Sequence, residues 1–277
     1  MKQASKENTP LRKLQLAELD VLKELIRICK KYNLTYYISG GTYLGAVRHK
    51  GFIPWDDDMD IAMPRPDFEK FLKLVNEIDK NYELVTFQTH SDYNWYPPKL
   101  RNNKVKVKNT STKNAQIESA WIDIFPLDGM PKNKILATFH KIRLSYCRLY
   151  YVISDFDNIV NLKKRHRPFY EKIIIAFFKK VNVSKIIDTK KALYKIDGAL
   201  KKYPYEKSSV NMNYMGAYRL NSIIPKTVYA EGALYDFEGL KLNGPKDYDT
   251  YLTQIYGDYM TPPRKTDQNK HNTEVME

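Results

Sequence analysis

Tyr36-Tyr-Ile-Ser-Gly-Gly-Thr-Tyr-Leu-Gly-Ala-Val-Arg-His-Lys-Gly-Phe-Ile-Pro-Trp-Asp-Asp-Asp-Met-Asp-Ile-Ala-Met63 is the stretch whose reading decides the fold. Its pattern predicts a strand over Thr35 to Ser39, a turn at Gly40 and Gly41, and a short helix from Thr42 to His49. A loop turned by Gly51 and Pro54 follows. A second strand then alternates Asp58 and Asp60 with Met59 and Ile61, and a side-chain period of two puts both carboxylates on one face. Two carboxylates so placed repel each other unless a cation lies between them.

Upstream, Thr9 and Pro10 make a helix start. Leu14, Leu22, Leu25, Ile26 and Cys29 recur at helical spacing to about Lys31. Downstream, Arg65-Pro66-Asp67 opens a helix carrying Phe68, Phe71, Leu72, Val75 and Ile78. Tyr82 to Phe87 reads as a strand. Beyond Pro97-Pro98, the alternation in Lys99-Leu100-Arg101 sends both cations to one side of a strand, and Asn102-Asn103 reads as a turn before Lys104 to Lys108. In the strand Ala120 to Phe125, Asp123 stands alone among apolar neighbours. A carboxylate there is costly without a cation or donors, so Asp123 is the natural third member of the Asp58 and Asp60 cluster. Helices are expected from Asn133 to about Tyr151, over Phe169 to Val181, and from Asp188 to Lys202. Short strands then lead to a last helix, Lys246 to Tyr256, stopped by Gly257.

At 277 residues, with 43% hydrophobic and 28% charged residues, the chain has the composition of a soluble globular protein with a substantial core. No leader peptide and no membrane span are expected, since Met1 to Pro10 is polar and the longest apolar run is short. Cys29 and Cys147 lack metal-ligand spacing and read as two buried thiols in a reducing compartment. The net charge of +14 is localised. Residues 1–130 carry 20 Lys+Arg and 17 Asp+Glu, residues 131–207 carry 19 and 6, and residues 208–277 carry 7 and 9. This divides the chain into a core over 1–130, a basic helical segment over 131–207, and a part over 208–277 that completes the core. Basic residues set apart from the carboxylates argue against a nucleic-acid partner. They suit an anionic membrane surface, with the apolar face of Phe169 to Val181 flanked by Lys163, Lys164, Arg165 and Arg167.

A glycine turn after a strand, then Asp-x-Asp on a strand and a later single Asp, is the layout of the nucleotidyltransferase superfamily. The string from Ser39 to Ile61 resembles more narrowly the signature of the LicD family, phosphocholine transferases of bacterial surface glycans. Leu11-Arg-Lys-Leu-Gln-Leu, Trp121-Ile-Asp-Ile-Phe-Pro-Leu-Asp-Gly and Tyr256-Gly-Asp-Tyr-Met-Thr-Pro-Pro support the match. The resemblance implies an α+β fold: a nucleotidyltransferase-like mixed sheet with flanking helices and a basic helical insertion.

It also implies a Mg2+-dependent enzyme that moves phosphocholine from CDP-choline to a sugar hydroxyl of a lipid-linked teichoic acid or lipopolysaccharide-type precursor, releasing CMP. Asp58, Asp60 and Asp123 would be catalytic and hold one or two Mg2+, or Mn2+ in its place. Ser39, Gly40, Gly41 and Thr42 would cradle the donor diphosphate. Arg48, Lys99 and Arg101 are phosphate cations by their chemistry, and His271 is a site residue by resemblance. Asp56 and Asp57 read as capping residues beside the ligands. Choline calls for aromatic faces, which Trp55, Trp95, Trp121 and the 22 tyrosines offer. The expected location is cytoplasmic and peripheral, at the inner face of the cell membrane. Other readings are transfer of another CDP-activated alcohol phosphate such as ribitol phosphate, a nucleotidyltransferase placing a nucleoside monophosphate, and a non-enzymatic basic adaptor.

Overall fold

The computed structural model describes residues 9–109, 116–159, 187–264, 268 and 273–275. The fold is α+β. Helix α1 (Pro10–Tyr32) starts as its sequence dictates, with Pro10 in the first turn and the Thr9 hydroxyl accepting the Arg12 N–H. Strand β1 (Tyr37–Ile38) is short and leads into helix α2 (Gly40–His49). Strand β2 (Asp60–Pro64) runs directly into helix α3 (Arg65–Leu72). Strands β3 (Tyr82–Val85), β4 (Lys99–Asn109) and β5 (Gln116–Leu127) follow. The sheet order is β1-β2-β5-β4, with β3 and β10 (Thr273–Val275) pairing with different stretches of β4.

The pairing of β2 with β5 is parallel and the others are antiparallel, which makes the sheet mixed. The turn expected at Asn102-Asn103 is instead a register shift within β4, between Asn102 and Lys106, so the strand continues to Asn109. Sheet pairing on either side of the irregularity outweighs the local turn preference of two asparagines.

One apolar cluster joins α1, β1, β2 and α3 to Ile224, Val228, Phe237, Leu242 and Leu252, so residues from the last part of the chain share a core with the first. The segment from Tyr205 to Gly257 supplies this through two hairpin-like pairs, β6 (Val210–Met212) with β7 (Ile223–Pro225) and β8 (Ala233–Phe237) with β9 (Leu240–Gly244). A second cluster forms around helix α4 (Lys134–Ser154) and helix α5 (Thr189–Leu200), which meet Val85, Phe87, Tyr93 and Tyr96. Cys29 and Cys147 are buried and unpaired, one in each cluster. The final long helix, α6 (Tyr248–Tyr256), is capped by Asp247 and ends at Gly257.

A buried ionic network joins the two clusters. Arg65, at the start of α3, donates through Nε to Asp128 Oδ1 at 2.7 Å and through a terminal nitrogen to Asp128 Oδ2 at 2.8 Å. It also donates to Tyr96 OH at 3.1 Å, and that hydroxyl donates to Asp197 Oδ1 of α5 at 2.8 Å. Two-point contact with a carboxylate is the strong form of such a pair. Its removal on one side leaves a buried charge uncompensated. Asp128→Ala is therefore expected to cost about 3–5 kcal/mol in urea unfolding, and a loss below about 1 kcal/mol would mean the pair behaves as a surface bridge.

Candidate active site

Parallel pairing of β2 and β5 sets Asp60 opposite Asp123, and antiparallel pairing of β5 and β4 sets Asp123 opposite Lys99. Paired residues in neighbouring strands project to the same face, so the carboxylates and Lys99 line up at one level of the sheet. Asp58 lies just before the strand, close enough that its charge acts on Asp123. Register thus brings Asp60, Asp123 and Lys99 together, whereas Asp58, expected on the same strand, lies in the loop before it because pairing with β5 begins only at Asp60.

Gly40 and Gly41 sit over it. Gly40 has a φ of +54°, and a Cβ on it would fall 2.8 Å from Asp60 Oδ2; a Cβ on Gly41 would fall 2.6 Å from Asp56 Oδ2. Only a residue without a side chain lets the first turn of α2 approach two carboxylates this closely. Ser39 and Thr42 are buried and their side chains serve the framework. Ser39 Oγ shares a hydrogen bond of 3.1 Å with Tyr251 OH, and Thr42 Oγ1 accepts the Asp60 N–H at 2.9 Å. The Gly40 N–H also donates to Tyr251 OH at 3.4 Å, so what this turn offers an anion is the helix start from Gly41 on, with its favourable partial charge.

The acidic loop before β2 is held from two sides. Gln15 Nε2 of α1 donates to Asp56 O at 3.0 Å. Glu238 accepts the Phe52 N–H at 3.2 Å while pairing with Arg12 at 2.7 Å. Asp56, Asp57 and Asp58 can each offer a carboxylate oxygen, all within 4.8 Å of one another, a spread that oxygen ligands of a single divalent ion span. Burial pushes the Asp123 carboxyl up to about 6; Lys99 opposes this, Asp58 adds to it, and the Trp121 indole, which donates to Oδ2 at 3.2 Å, opposes it again. Asp123 Oδ1 is shut off from water and accepts no hydrogen bond. An orphaned carboxylate oxygen beside a set of oxygen donors fits a hard divalent cation.

The cations are placed differently from one another. Lys99 and Arg101 do lie on one side of β4, and both are engaged by Glu118, at 2.7 and 3.8 Å. Lys99 Nζ also sits 3.7 Å from the centre of the Trp121 ring, so that indole is already covered. Arg48 donates to Tyr259 O at 2.6 Å, clasping α2 to the segment after α6. Trp95 is exposed, and Trp55 packs edge-on against His49. On the Asp60 side Tyr218 and Tyr256 are in edge contact at 5.2 Å, and both, like Tyr251, feel the Asp60 charge. His271 lies outside the described residues.

One carboxylate in the cluster has no counterpart among the expected residues. Glu18 of α1 is 1% exposed. Burial, then Asp58, Asp57, Asp56 and Asp123, raise its pKa well above the ordinary carboxylate range. In the sequence it is one of several charges on an amphipathic helix, and only its place one turn beyond Gln15, on the same face, hinted at its direction.

Residues 33–148 match the family described as LicD/FKTN/FKRP, nucleotidyltransferase domain. Over 271 residues the chain is 28% identical to the lipopolysaccharide cholinephosphotransferase LicD of Haemophilus influenzae, covering 95% of this chain and 96% of that protein. Shorter similarities link it to uncharacterized proteins of Rickettsia prowazekii, 44% identical over 76 residues, and Rickettsia typhi, 40% identical over 63 residues. These cover 27% and 23% of this chain, and 29% and 20% of those proteins. The family match contains Gly40, Asp58, Asp60, Lys99 and Asp123 and begins after α1.

The raised Asp123 pKa has a signed consequence. Below about pH 4 the carboxyl is protonated in both folded and unfolded protein. Between that and its folded value of about 6 the folded state holds the extra proton, so stability falls as pH rises through this window. In metal-free protein, Asp123→Asn should therefore lose about one proton of this slope and gain more in melting temperature at pH 7.5 than at pH 4. Calorimetric melts across that range check it; parallel curves for variant and wild type would refute the assignment.

Proposed function

We propose that this chain, whose residues 33–148 match the LicD/FKTN/FKRP nucleotidyltransferase domain, is a transferase moving phosphocholine from CDP-choline to a hydroxyl of a lipid-linked glycan. The acceptor is a precursor of lipopolysaccharide or teichoic acid type. The observation that carries the reading is the level formed by Asp60, Asp123 and Lys99 across three paired strands, with the first turn of α2 laid against Asp60. Phosphoryl transfer needs in-line positioning and neutralisation of oxygen charge more than covalent help, and this arrangement offers both.

Asp58, Asp60 and Asp123 would hold Mg2+. When bound, the ion neutralises charge on the donor phosphates and orients them. The backbone at the start of α2 from Gly41 on receives the donor diphosphate. In the reaction the acceptor oxygen forms a bond to the phosphorus bearing choline, the bond from that phosphorus to the bridging oxygen breaks, and CMP leaves with the electron pair. Asp123 either completes the ligand set or takes the hydroxyl proton. Because a quaternary ammonium has no hydrogen to donate, it selects aromatic faces near a negative charge, and Tyr218 and Tyr256 beside Asp60 meet that description. Incubating the protein with CDP-choline, Mg2+ and a lipid-linked acceptor should yield CMP and phosphocholine on the acceptor. Asp58→Asn should lower turnover by roughly 10^3-fold, the size of effect seen when a preorganised charge-stabilising group is removed. Full turnover in Asp58→Asn would overturn the site, and a transferred nucleotide with released pyrophosphate would replace the reaction.

Such an acceptor lies in a membrane, and no helix among the described residues is long and apolar enough to cross one. We place the enzyme at the cytoplasmic face, docked through α4. Ile135, Phe139 and Ile142 of α4 are 68%, 66% and 60% exposed, and Tyr146 and Leu149 continue the same stripe. On a helical wheel the stripe spans about 80°, with Arg143 on one edge and Lys134 and Lys141 on the other. The helix carries four cations and no carboxylate from Lys134 to Ser154, so an apolar face rimmed by positive charge meets an anionic bilayer. The expected second element, Phe169 to Val181 with Lys163, Lys164, Arg165 and Arg167, lies outside the described residues. Replacing Ile135, Phe139 and Ile142 with Ser should abolish sedimentation with anionic vesicles while leaving turnover on a water-soluble acceptor unchanged. Unchanged sedimentation would refute this docking face, as would a wild-type protein that ignores the vesicles because a second copy or residues 160–186 cover the stripe.

A further inference from the structure

The turn between β8 and β9 breaks a local rule. Its two residues, Glu238 and Gly239, have φ of +51° and +79°. Positive φ at both positions favours Asn-Gly or Gly-Gly, and a glutamate carries a steric cost there. Such a residue persists where its surroundings hold it. Glu238 is held by the stretch that joins α2 to the acidic loop. Its N–H donates to Lys50 O at 3.0 Å, and its Oε1 accepts the Phe52 N–H at 3.2 Å. Between those two residues, a Cβ on Gly51 would fall 2.5 Å from Oε1, so only glycine lets the carboxylate lie this close.

The same carboxylate is gripped from α1. Arg12 donates to Oε1 at 3.1 Å and to Oε2 at 2.7 Å, the two-point form of such a pair. The Arg12 nitrogen that meets Oε1 also donates to Gln15 Oε1 at 3.3 Å, and the buried Gln15 donates through Nε2 to Asp56 O at 3.0 Å. A continuous run of hydrogen bonds therefore leads from Glu238 to the backbone of Asp56, the first of the three neighbouring carboxylates that can bring oxygens within 4.8 Å of one another. Glu238 meets this stretch directly at Phe52 and through two side chains at Asp56, on either side of the turn closed by the Asp56 N–H on Ile53 O at 3.0 Å.

We propose that Glu238 is a positioning residue of the candidate site, fixing the backbone on both sides of that turn so that the acidic loop presents its carboxylates to a divalent cation without rearrangement. This rests on the reading that the site binds such a cation. A loop already held in shape spares the ion the cost of ordering its ligands. Arg12 and Glu238 both lie outside the stretch matched by the family, so the role is assigned from this structure alone.

Mn2+ binding followed by electron paramagnetic resonance without any nucleotide, with thermal melts of the metal-free protein, tests it. Glu238→Ala removes the carboxylate, while Phe237 keeps its edge contact with Phe52 at 4.9 Å and the turn keeps its apolar seat. Mn2+ should bind about 10-fold more weakly, the size expected when an outer partner of a ligand is lost. Glu238→Gln keeps an oxygen for the Phe52 N–H but not the charge that meets Arg12, and should recover part of that loss. Gly51→Ala leaves the glutamate in the chain and pushes its flexible end aside. It should weaken Mn2+ as well, and should add nothing in the Glu238→Ala background, where the atoms its Cβ meets are gone. A group that only stabilises the fold would lower the melting temperature and leave the Mn2+ affinity of folded protein alone. If Glu238→Ala does not fold, Glu238→Gln and Gly51→Ala carry the test. Unchanged Mn2+ affinity in the variants that fold, or a double variant showing the product of both losses, would overturn the positioning role. A wild type that binds no Mn2+ would overturn the cation reading, and this role with it.

Discussion

Everything at the site follows from one constraint: β2 and β5 pair in parallel and in a register that puts Asp60 beside Asp123. Neighbouring strands lie about 4.8 Å apart, and at that separation two ionised carboxylates shielded from water repel strongly. Core packing around Ile61, Ala62, Ile122 and Ile124 holds the register against this repulsion, because a one-residue slip would turn those side chains to the wrong face. The burial that fixes the pairing also removes water from Asp123 and raises its pKa. Stability is thus given up locally to prepare a place where positive charge is favoured.

The rest of the catalytic half is arranged to hold negative groups against this level. Gly40 and Gly41 lack the Cβ atoms that would collide with Asp60 and Asp56. Arg12, Gln15 and Glu238 tie α1, the loop and the β8–β9 turn together, so the acidic loop is braced by ionic and backbone contacts on both sides. The Arg65 and Asp128 pair performs the equivalent service for the second cluster, locking the end of β5 to α3 and, through Tyr96, to Asp197 on α5. Since α4 packs with α5 in that cluster, the apolar stripe of α4 is rigidly related to the carboxylate level.

The sequence by itself determined the parts governed by local periodicity. Asp60 of the expected alternation, the solitary Asp123 and the spacing of Lys99 and Arg101 name residues that the structure does bring to one side of the sheet, while Asp58 falls in the loop before β2. The glycine pair was legible as a tight turn, but that it clears Asp60 and Asp56 was decided by the tertiary structure. Only the tertiary structure decided which polar groups are spent on the framework. Ser39 and Thr42 bind Tyr251 and the Asp60 amide, Arg48 clasps Tyr259, and Glu118 pairs with Lys99, none of which any local pattern specifies. Glu18 was hidden for the same reason: on an amphipathic helix a Glu reads as solvent-facing, and its burial follows from where α1 crosses the acidic loop. Periodicity tells which face a side chain occupies; what that face meets depends on contacts between elements far apart in the chain.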